Sequence, residues 1–364
     1  MTIRNITNYI EELAPLNYAE DFDNVGLLIG NYQTKVSGVL VTLDTLEETV
    51  DEAIANNCNL IVSFHPIIFS GLKKINGNSY VERVVLKAIQ NNIAIYATHT
   101  ALDNSNNGVS AKMCEVLGLI NSKVLIPKTG IIKKLTTYVP SKNAESLRNA
   151  LFVANAGSIG NYDHCSFNSL GEGTYKGNEK SNPTIGKKGA LHTEPETKIS
   201  IVFENKNQKK ILKALQENHP YEEVAYEIVT TDNVHQNIGM GMIGELENEM
   251  NEKDFLSFLK KTMKTDCIRH SAFIHKKIKK VAVLGGSGSF AISNAKRAGA
   301  DAYVSADFKY HEFFKAENSI LLADIGHYES EQFTKNLLVD YLTKKFSNFA
   351  VILSEKSTNP IYYI

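Results

Sequence analysis

The sequence predicts an α/β fold built from both chain ends, with a smaller α+β domain inserted between them. Three observations lead there. Short apolar runs alternate with helix-period segments over residues 1–127. The same rhythm resumes over residues 236–364. Between them, residues 128–235 change to a β-α-β-β-α-β order with long glycine-rich loops. Strands buried on both faces of a parallel sheet read as continuous apolar runs, because crossover helices cover each face.

Taken in order, Ile3, Ile6, Ile10 and Leu13 recur at helical spacing. "SGVLVTLD" (37–44), "NLIVSF" (59–64) and "IAIYAT" (93–98) are strands. The helices "LEETVDEAIANN", "SYVERVVLKAIQNN" and "GVSAKMCEVLGL" follow them, the second with Val81, Val84, Val85 and Ile89 on one face. "KKLTTYVP" (133–140), a helix around 142–153, a glycine-rich stretch, "KISIVFE" (198–204), "NQKKILKALQENH" and "EVAYEIVTT" give the inserted domain a ferredoxin-like order. "KKVAVLGG" (279–286), "AYVSA" (302–306), "ILLAD" (320–324) and "AVILS" (350–354) then restore the α/β pattern.

A chain of 364 residues is long enough for two or three domains and a sizeable core. The net charge of −1 gives no general electrostatic attraction to nucleic acid or an anionic membrane. No run approaches the roughly 18 apolar residues of a membrane helix. "MTIRNITNYIEELAP" is amphipathic and acidic, unlike a signal peptide. Cys58, Cys114, Cys165 and Cys267 are scattered without a CxxC, which argues against a disulfide scaffold or a thiolate zinc site. Cys58 and Cys114 read as small core residues. A cytoplasmic protein is the expectation.

Chemistry-bearing residues gather where the strands stop. In open α/β sheets, functional groups collect beyond the carboxyl ends of strands. His65 follows "NLIVSF". His99 and, four residues on, Asp103 follow "IAIYAT". Asp307 and His311 follow "AYVSA", and His327 and Glu331 follow "ILLADIG". Four of the ten histidines therefore sit at strand ends, three of them with a carboxylate four residues away. Imidazole and carboxylate without cysteine suit one or two divalent ions of Zn, Mn, Fe, Co or Ni. A carboxylate can bridge two such ions, and paired ions serve hydrolysis. The competing reading makes Asp103 and Asp307 helix N-caps.

Six stretches resemble the NIF-three-like dinuclear-metal family, whose members are often labelled GTP cyclohydrolase I type 2 homologues. They are "AEDFDNVGLLIG", "LIVSFHPIIFSG", "ATHTALDNSNNGVS", "VAVLGGSGS", "VSADFKYHEF" and "DIGHYESE". The middle segment is similar to the PII/CutA-like insert of long bacterial members. The resemblance implies metal ligands at His65, Asp103, His327 and Glu331, with Glu331 bridging and Asp103 beside His65. It implies a toroidal homohexamer. The family usually has two histidines before the proline, and this chain has Phe64 in place of the first. The lost imidazole would serve a second ion with His327, so the resemblance implies unequal sites, with His99, His311 or water filling the gap.

Several motifs are weaker. Gly286, Gly288 and Ala291 match G-x-G-x-x-A, with Asp307 ending the next strand. A backbone N–H pocket for an anionic substrate group, or a tight turn, accounts for them better than a dinucleotide site, since Asp307 already belongs to the "DFKYH" group. Asp23 and Asn24 read as a turn, and the family resemblance implies instead a loop bordering the metal pocket. His219 and Glu222 read as a helix end. Lys309 is either solvated or a phosphate contact. The function expected is a metal-dependent hydrolase acting on a nucleotide or phosphoester, with His99 or His311 as proton carrier. The alternatives are a metal-binding assembly or regulatory protein without turnover, and a nucleotide-binding module.

Overall fold

The computed structural model describes residues 1–364. The chain forms two compact units, Met1–Pro127 with Gln236–Ile364, and Lys128–His235.

In the first unit, every residue of Val39–Thr42, Leu60–Ser63 and Ala94–Ala97 is buried. The side chains of these strands alternate between two cores. Val39, Val41, Leu60, Val62 and Tyr96 meet Ile3, Ile6 and Ile10 of the N-terminal helix and Leu338 and Leu342 of Thr334–Lys345. Leu40, Ile61 and Ile95 point the other way, onto Val50, Ala53, Val84, Val85 and Ala88. Burying one such aliphatic side chain stabilises by roughly 1.5–3 kcal/mol, so the helices are held by these faces. Ile89, expected on the apolar face of its helix, is exposed, and Ala88 is buried instead. Cys58 and Cys114 are both buried.

The strand order of this sheet is Gly26–Ile29, Ala94–Ala97, Leu60–Ser63, Val39–Thr42, Val351–Leu353. The first pair is antiparallel and the rest are parallel. A second sheet runs Arg269–His270, Leu321–Asp324, Ala302–Ala306, Lys277–Ser287, His235–Asn251, Ile120–Lys128. Its central three strands are parallel. Both chain ends therefore build the first sheet, through the parallel pairing of Val351–Leu353 with Val39–Thr42.

The second unit is a four-stranded antiparallel sheet ordered Phe167–Lys176, Leu191–Glu204, Ile132–Pro140, Tyr226–Thr230. With helices Ala144–Val153 and Gln208–Asn218 after its first and third strands, this is the ferredoxin-like arrangement. Leu135, Val139, Ile199, Ile201 and Phe203 meet Leu147, Leu151, Ile211 and Leu215 of the helices. Alternation sends Tyr138, Glu196 and Lys198 to the helix-free face.

Candidate metal centre

The strand Leu60–Ser63 stops one residue short of Phe64. Regular pleating would send Phe64 and His65 to opposite faces. Instead the chain bends: the backbone N–H groups of both residues donate to the Leu43 carbonyl, and Ser63 Oγ donates to the His65 carbonyl at 2.8 Å. Phe64 is fully buried in the core. The His65 ring lies 4.8 Å from it, centroid to centroid. His327 opens the short helix His327–Glu331, which follows Gly326 at φ +95°. The four-residue spacing puts His327 and Glu331 on one side of that turn.

Three donor atoms converge. His65 Nε2 lies 3.2 Å from Glu331 Oε2, His327 Nε2 lies 3.3 Å from it, and the two Nε2 atoms are 3.4 Å apart. The other ring nitrogens are occupied. His65 Nδ1 bonds Asp44 at 2.8 Å, and His327 Nδ1 bonds Asp307 at 2.7 Å. An ionised carboxylate only accepts, so each Nδ1 carries the proton, and in the neutral ring each Nε2 keeps a lone pair. Two lone pairs and a buried carboxylate oxygen repel one another unless a cation lies among them. Glu331 Oε2 is buried and has no partner in hydrogen-bond geometry. These three residues fit a divalent ion, held by carboxylate-oriented imidazoles of the kind that hold metals elsewhere.

The aspartates are themselves anchored. Thr358 Oγ1 donates to Asp44 at 2.6 Å, and Ser287 Oγ donates to Asp307 at 2.7 Å. Burial alone would lower the His65 pKa, but Asp44 and Glu331 outweigh it and push it up to about 10. His327 is likewise raised to about 11, by Asp307 and Glu331 against burial. Burial would raise Glu331, but His327 and His65 hold it down to about 2. Without a metal, protons take the cation's place.

Asp103 lines the same cavity of about 220 Å³, with His99, His327 and Glu331. It lies outside the cluster of three, whose ligand atoms are within 4.8 Å of one another. It still lies close enough to feel the charges of Glu331 and His65. Asp103 is also the last residue of the helix His99–Asp103, so it caps no N-terminus. Burial and the Glu331 charge raise its pKa well above the usual carboxylate range.

His99 repeats the pattern of the other two histidines. Its Nδ1 bonds Asp23 at 2.8 Å, and Thr100 donates to the same carboxylate through its backbone N–H and its hydroxyl. Its backbone sits at φ +25°, a strained conformation for a non-glycine residue. The loop holding Asp23 and Asn24 therefore borders the pocket, and Phe22 forms part of its wall. His311 is exposed on the 3₁₀ segment Tyr310–Ala316, against Tyr310 and Phe314, and is not among the lining residues.

The glycine loop serves this site. A Cβ on Gly286, at φ +66°, would fall against the Glu331 carboxylate and 3.3 Å from the His327 ring. The Gly286 N–H already donates to Ser330 Oγ. Asp307, which a dinucleotide reading needs for a ribose, is bound to His327. Sequence reasoning missed Asp44 and did not assign orienting roles to Asp23 and Asp307. Asp44 ends a strand run like the others, so the strand-end rule could have found it.

An α/β scaffold from both chain ends, a His/Glu cluster at strand ends and a ferredoxin-like insert together define the class. The chain belongs to the Duf34/NIF3 (NGG1p interacting factor 3) family, whose model matches residues 1–360. It is similar to the GTP cyclohydrolase 1 type 2 homolog of Bacillus subtilis (strain 168), 38% identical over 371 residues, covering 99% of this chain and 98% of the relative. A Bacillus cereus protein related to NIF3 superposes with TM-score 0.84 at 36% identity, covering 100% of this chain and 99% of that one. A Staphylococcus aureus protein superposes with TM-score 0.79 at 29% identity, again over 100% and 99% of the two chains. No helix is long and apolar enough to cross a membrane.

Proposed function

We propose that His65, His327 and Glu331 hold a divalent metal ion, that Asp103 and Glu331 form a weaker position beside it, and that the protein is a metal-dependent hydrolase of a nucleotide or phosphoester. The observation supporting this is the convergence of two Asp-anchored Nε2 atoms on one buried carboxylate oxygen. A bound divalent ion would supply Lewis acidity toward a phosphoryl oxygen and an acidified water. Asp44 and Asp307 fix the tautomers of His65 and His327. Gly286 keeps the approach to Glu331 open. His99, held by Asp23, leaves Nε2 to accept or return a proton, and Asp23 would stabilise the imidazolium formed. Burial and the Glu331 charge hold the Asp103 pKa up, and a cation beside it would bring it down.

Elemental analysis of purified protein, with a phosphodiesterase and nucleotide screen, tests this reading. Metal content and turnover that fall together in Glu331→Ala support it, and a metal-free wild type overturns it. A second reading, a metal-binding assembly without turnover, draws on Phe64, an apolar ring where an imidazole would add a ligand. Metal without turnover across the screen selects that reading.

Two further parts belong to the same proposal. Residues 128–235 form a separable domain, so replacing them with a short linker should leave a folded, metal-binding protein. The chain self-assembles into a homohexamer, which light scattering of the full-length protein would read directly.

A further inference from the structure

The inserted unit holds a cavity of about 300 Å³. It lies at the end of the sheet, under the loop that joins Phe167–Lys176 to Leu191–Glu204. That loop is tied to the segment after helix Gln208–Asn218 by two hydrogen bonds. The Asn182 N–H donates to Glu222 Oε1 at 2.6 Å, and Thr184 Oγ1 donates to the Pro220 carbonyl at 2.7 Å. Tyr138, Tyr175 and Tyr221 give the cavity aromatic walls, with Tyr175 and Tyr221 edge to face at 5.6 Å.

Glu196 forms the floor and is only 8% exposed. Its Oε1 accepts from Tyr221 Oη at 2.9 Å. Its Oε2 lies over Gly173, where any Cβ would collide with it. A buried carboxylate at the base of an aromatic cavity is costly unless something compensates its charge.

Tyr221 spends its hydroxyl proton on Glu196, Tyr175 on the Ile185 carbonyl, Thr184 on Pro220, and Ser181 on the Asn178 carbonyl. What remains toward the cavity is the Tyr138 and Thr174 hydroxyls, the Lys176 ammonium, carboxylate oxygen and ring faces. Lys176 is the one cation of the lining, against Glu196, Glu222 and Glu223. A net-acidic, aromatic site takes a ligand that brings positive charge and N–H donors for its carboxylates.

We propose that the Glu196 cavity of the inserted domain binds a small organic cation, a primary ammonium or guanidinium on a short apolar body. The tyrosine rings would stack on the cation and its alkyl part, and Glu196 Oε2 would accept its N–H. The site is independent of the metal centre and of the function proposed for it.

The test titrates full-length protein with n-butylammonium and n-butylguanidinium, against butan-1-ol and butyrate of the same length, by calorimetry and saturation-transfer NMR. Both cations should bind about tenfold more tightly than the alcohol, the size expected of a desolvated cation–π and ion-pair contact. Glu196→Gln keeps the shape and the Tyr221 acceptor and should remove that preference. Glu172→Gln, an exposed carboxylate outside the cavity, should change nothing. Where Glu196→Gln loses its fold, Tyr175→Leu decides, by weakening the cations several-fold and the alcohol little. Equal affinity for the alcohol, tighter binding of butyrate through Lys176, or no binding of either cation at tens of millimolar would each overturn the proposal.

Discussion

His65 at the strand ends and His219 in the inserted unit share one residue type and a carboxylate neighbourhood, yet their ring nitrogens have opposite fates. His219 spends both. Its Nδ1 accepts the Tyr221 N–H at 3.1 Å, and its Nε2 donates to the Tyr138 carbonyl at 2.9 Å. Burial lowers its pKa. His65 spends only Nδ1, and its Nε2 faces another Nε2 and a buried carboxylate oxygen. A histidine with both nitrogens bonded to its own backbone surroundings is structural. One with a single nitrogen tied to a carboxylate is available for a cation.

The largest effect that would break this contrast comes from Glu331. Its carboxylate is the only acid that both Nε2 atoms approach. Glu331→Ala should lower bound metal to roughly a tenth of wild type or less, because the site loses its charge and one of its three ligands. His219→Ala should lower thermal stability and leave metal content unchanged. Elemental analysis after dialysis reads both, and full metal in Glu331→Ala refutes the assignment. Next in size is Asp44→Asn. It removes the negative partner that orients His65, and metal affinity should fall about 10- to 100-fold. A competition assay with a coloured chelator measures it, and unchanged affinity would mean that Asp44 orients nothing.

The sequence made the long-range scaffold legible where burial was complete. Ala302–Ala306 and Leu321–Asp324 are apolar runs buried on both faces; the sequence places the first on its observed bounds and the second to within one residue. Gly26–Ile29 escaped, since it is an edge strand, antiparallel and half-exposed at its middle. At the site, the candidate residue types were visible because strand ends converge. Their orienting carboxylates were not. Asp23 and His99 are 76 residues apart, and Asp44 and His65 are 21 apart. No spacing rule pairs them, and the direction of the His65 ring depends on a bend set by hydrogen bonds to a neighbouring strand. His219 was read as a helix end, and it sits directly after Gln208–Asn218.

A smaller effect appears as opposite pH signs in metal-free protein. His65 and His327 are raised from 6.5 to about 10 and about 11. Their contribution to stability is complete below about pH 6.5 and is lost as pH rises through those values. Glu331, lowered from 4.5 to about 2, contributes above pH 4.5 and loses that contribution as pH falls through about 2. His219 is lowered, so its contribution is present above pH 6.5 and fades as pH falls below it. Metal-free protein should therefore lose cluster stability between pH 7 and 10, while added metal stabilises increasingly over that range by displacing protons. Thermal melts with and without metal test this, and a metal-induced shift that shrinks with rising pH would contradict it.

The smallest expected effect is at Phe64. The ring is fully buried, 4.8 Å from His65 and 5.6 Å from His99. It packs in the core and offers no lone pair to the Asp103 side of the cavity. Wild type should therefore bind about one ion tightly, through His65, His327 and Glu331, and a second weakly. Imidazole is smaller than phenyl, so Phe64→His fits the volume, but a buried ring nitrogen without a partner costs about 1–3 kcal/mol. The metal-free variant should melt below wild type. An ion bridging the new imidazole to Asp103 or Glu331 would supply the missing partner, so added metal should restore much of the loss and raise tight stoichiometry from about one toward two. Two equally tight ions in wild type would mean that another residue already fills this role. His99 would be the first to mutate, since its Nδ1 is tied to Asp23 and its ring lies 5.3 Å from His65.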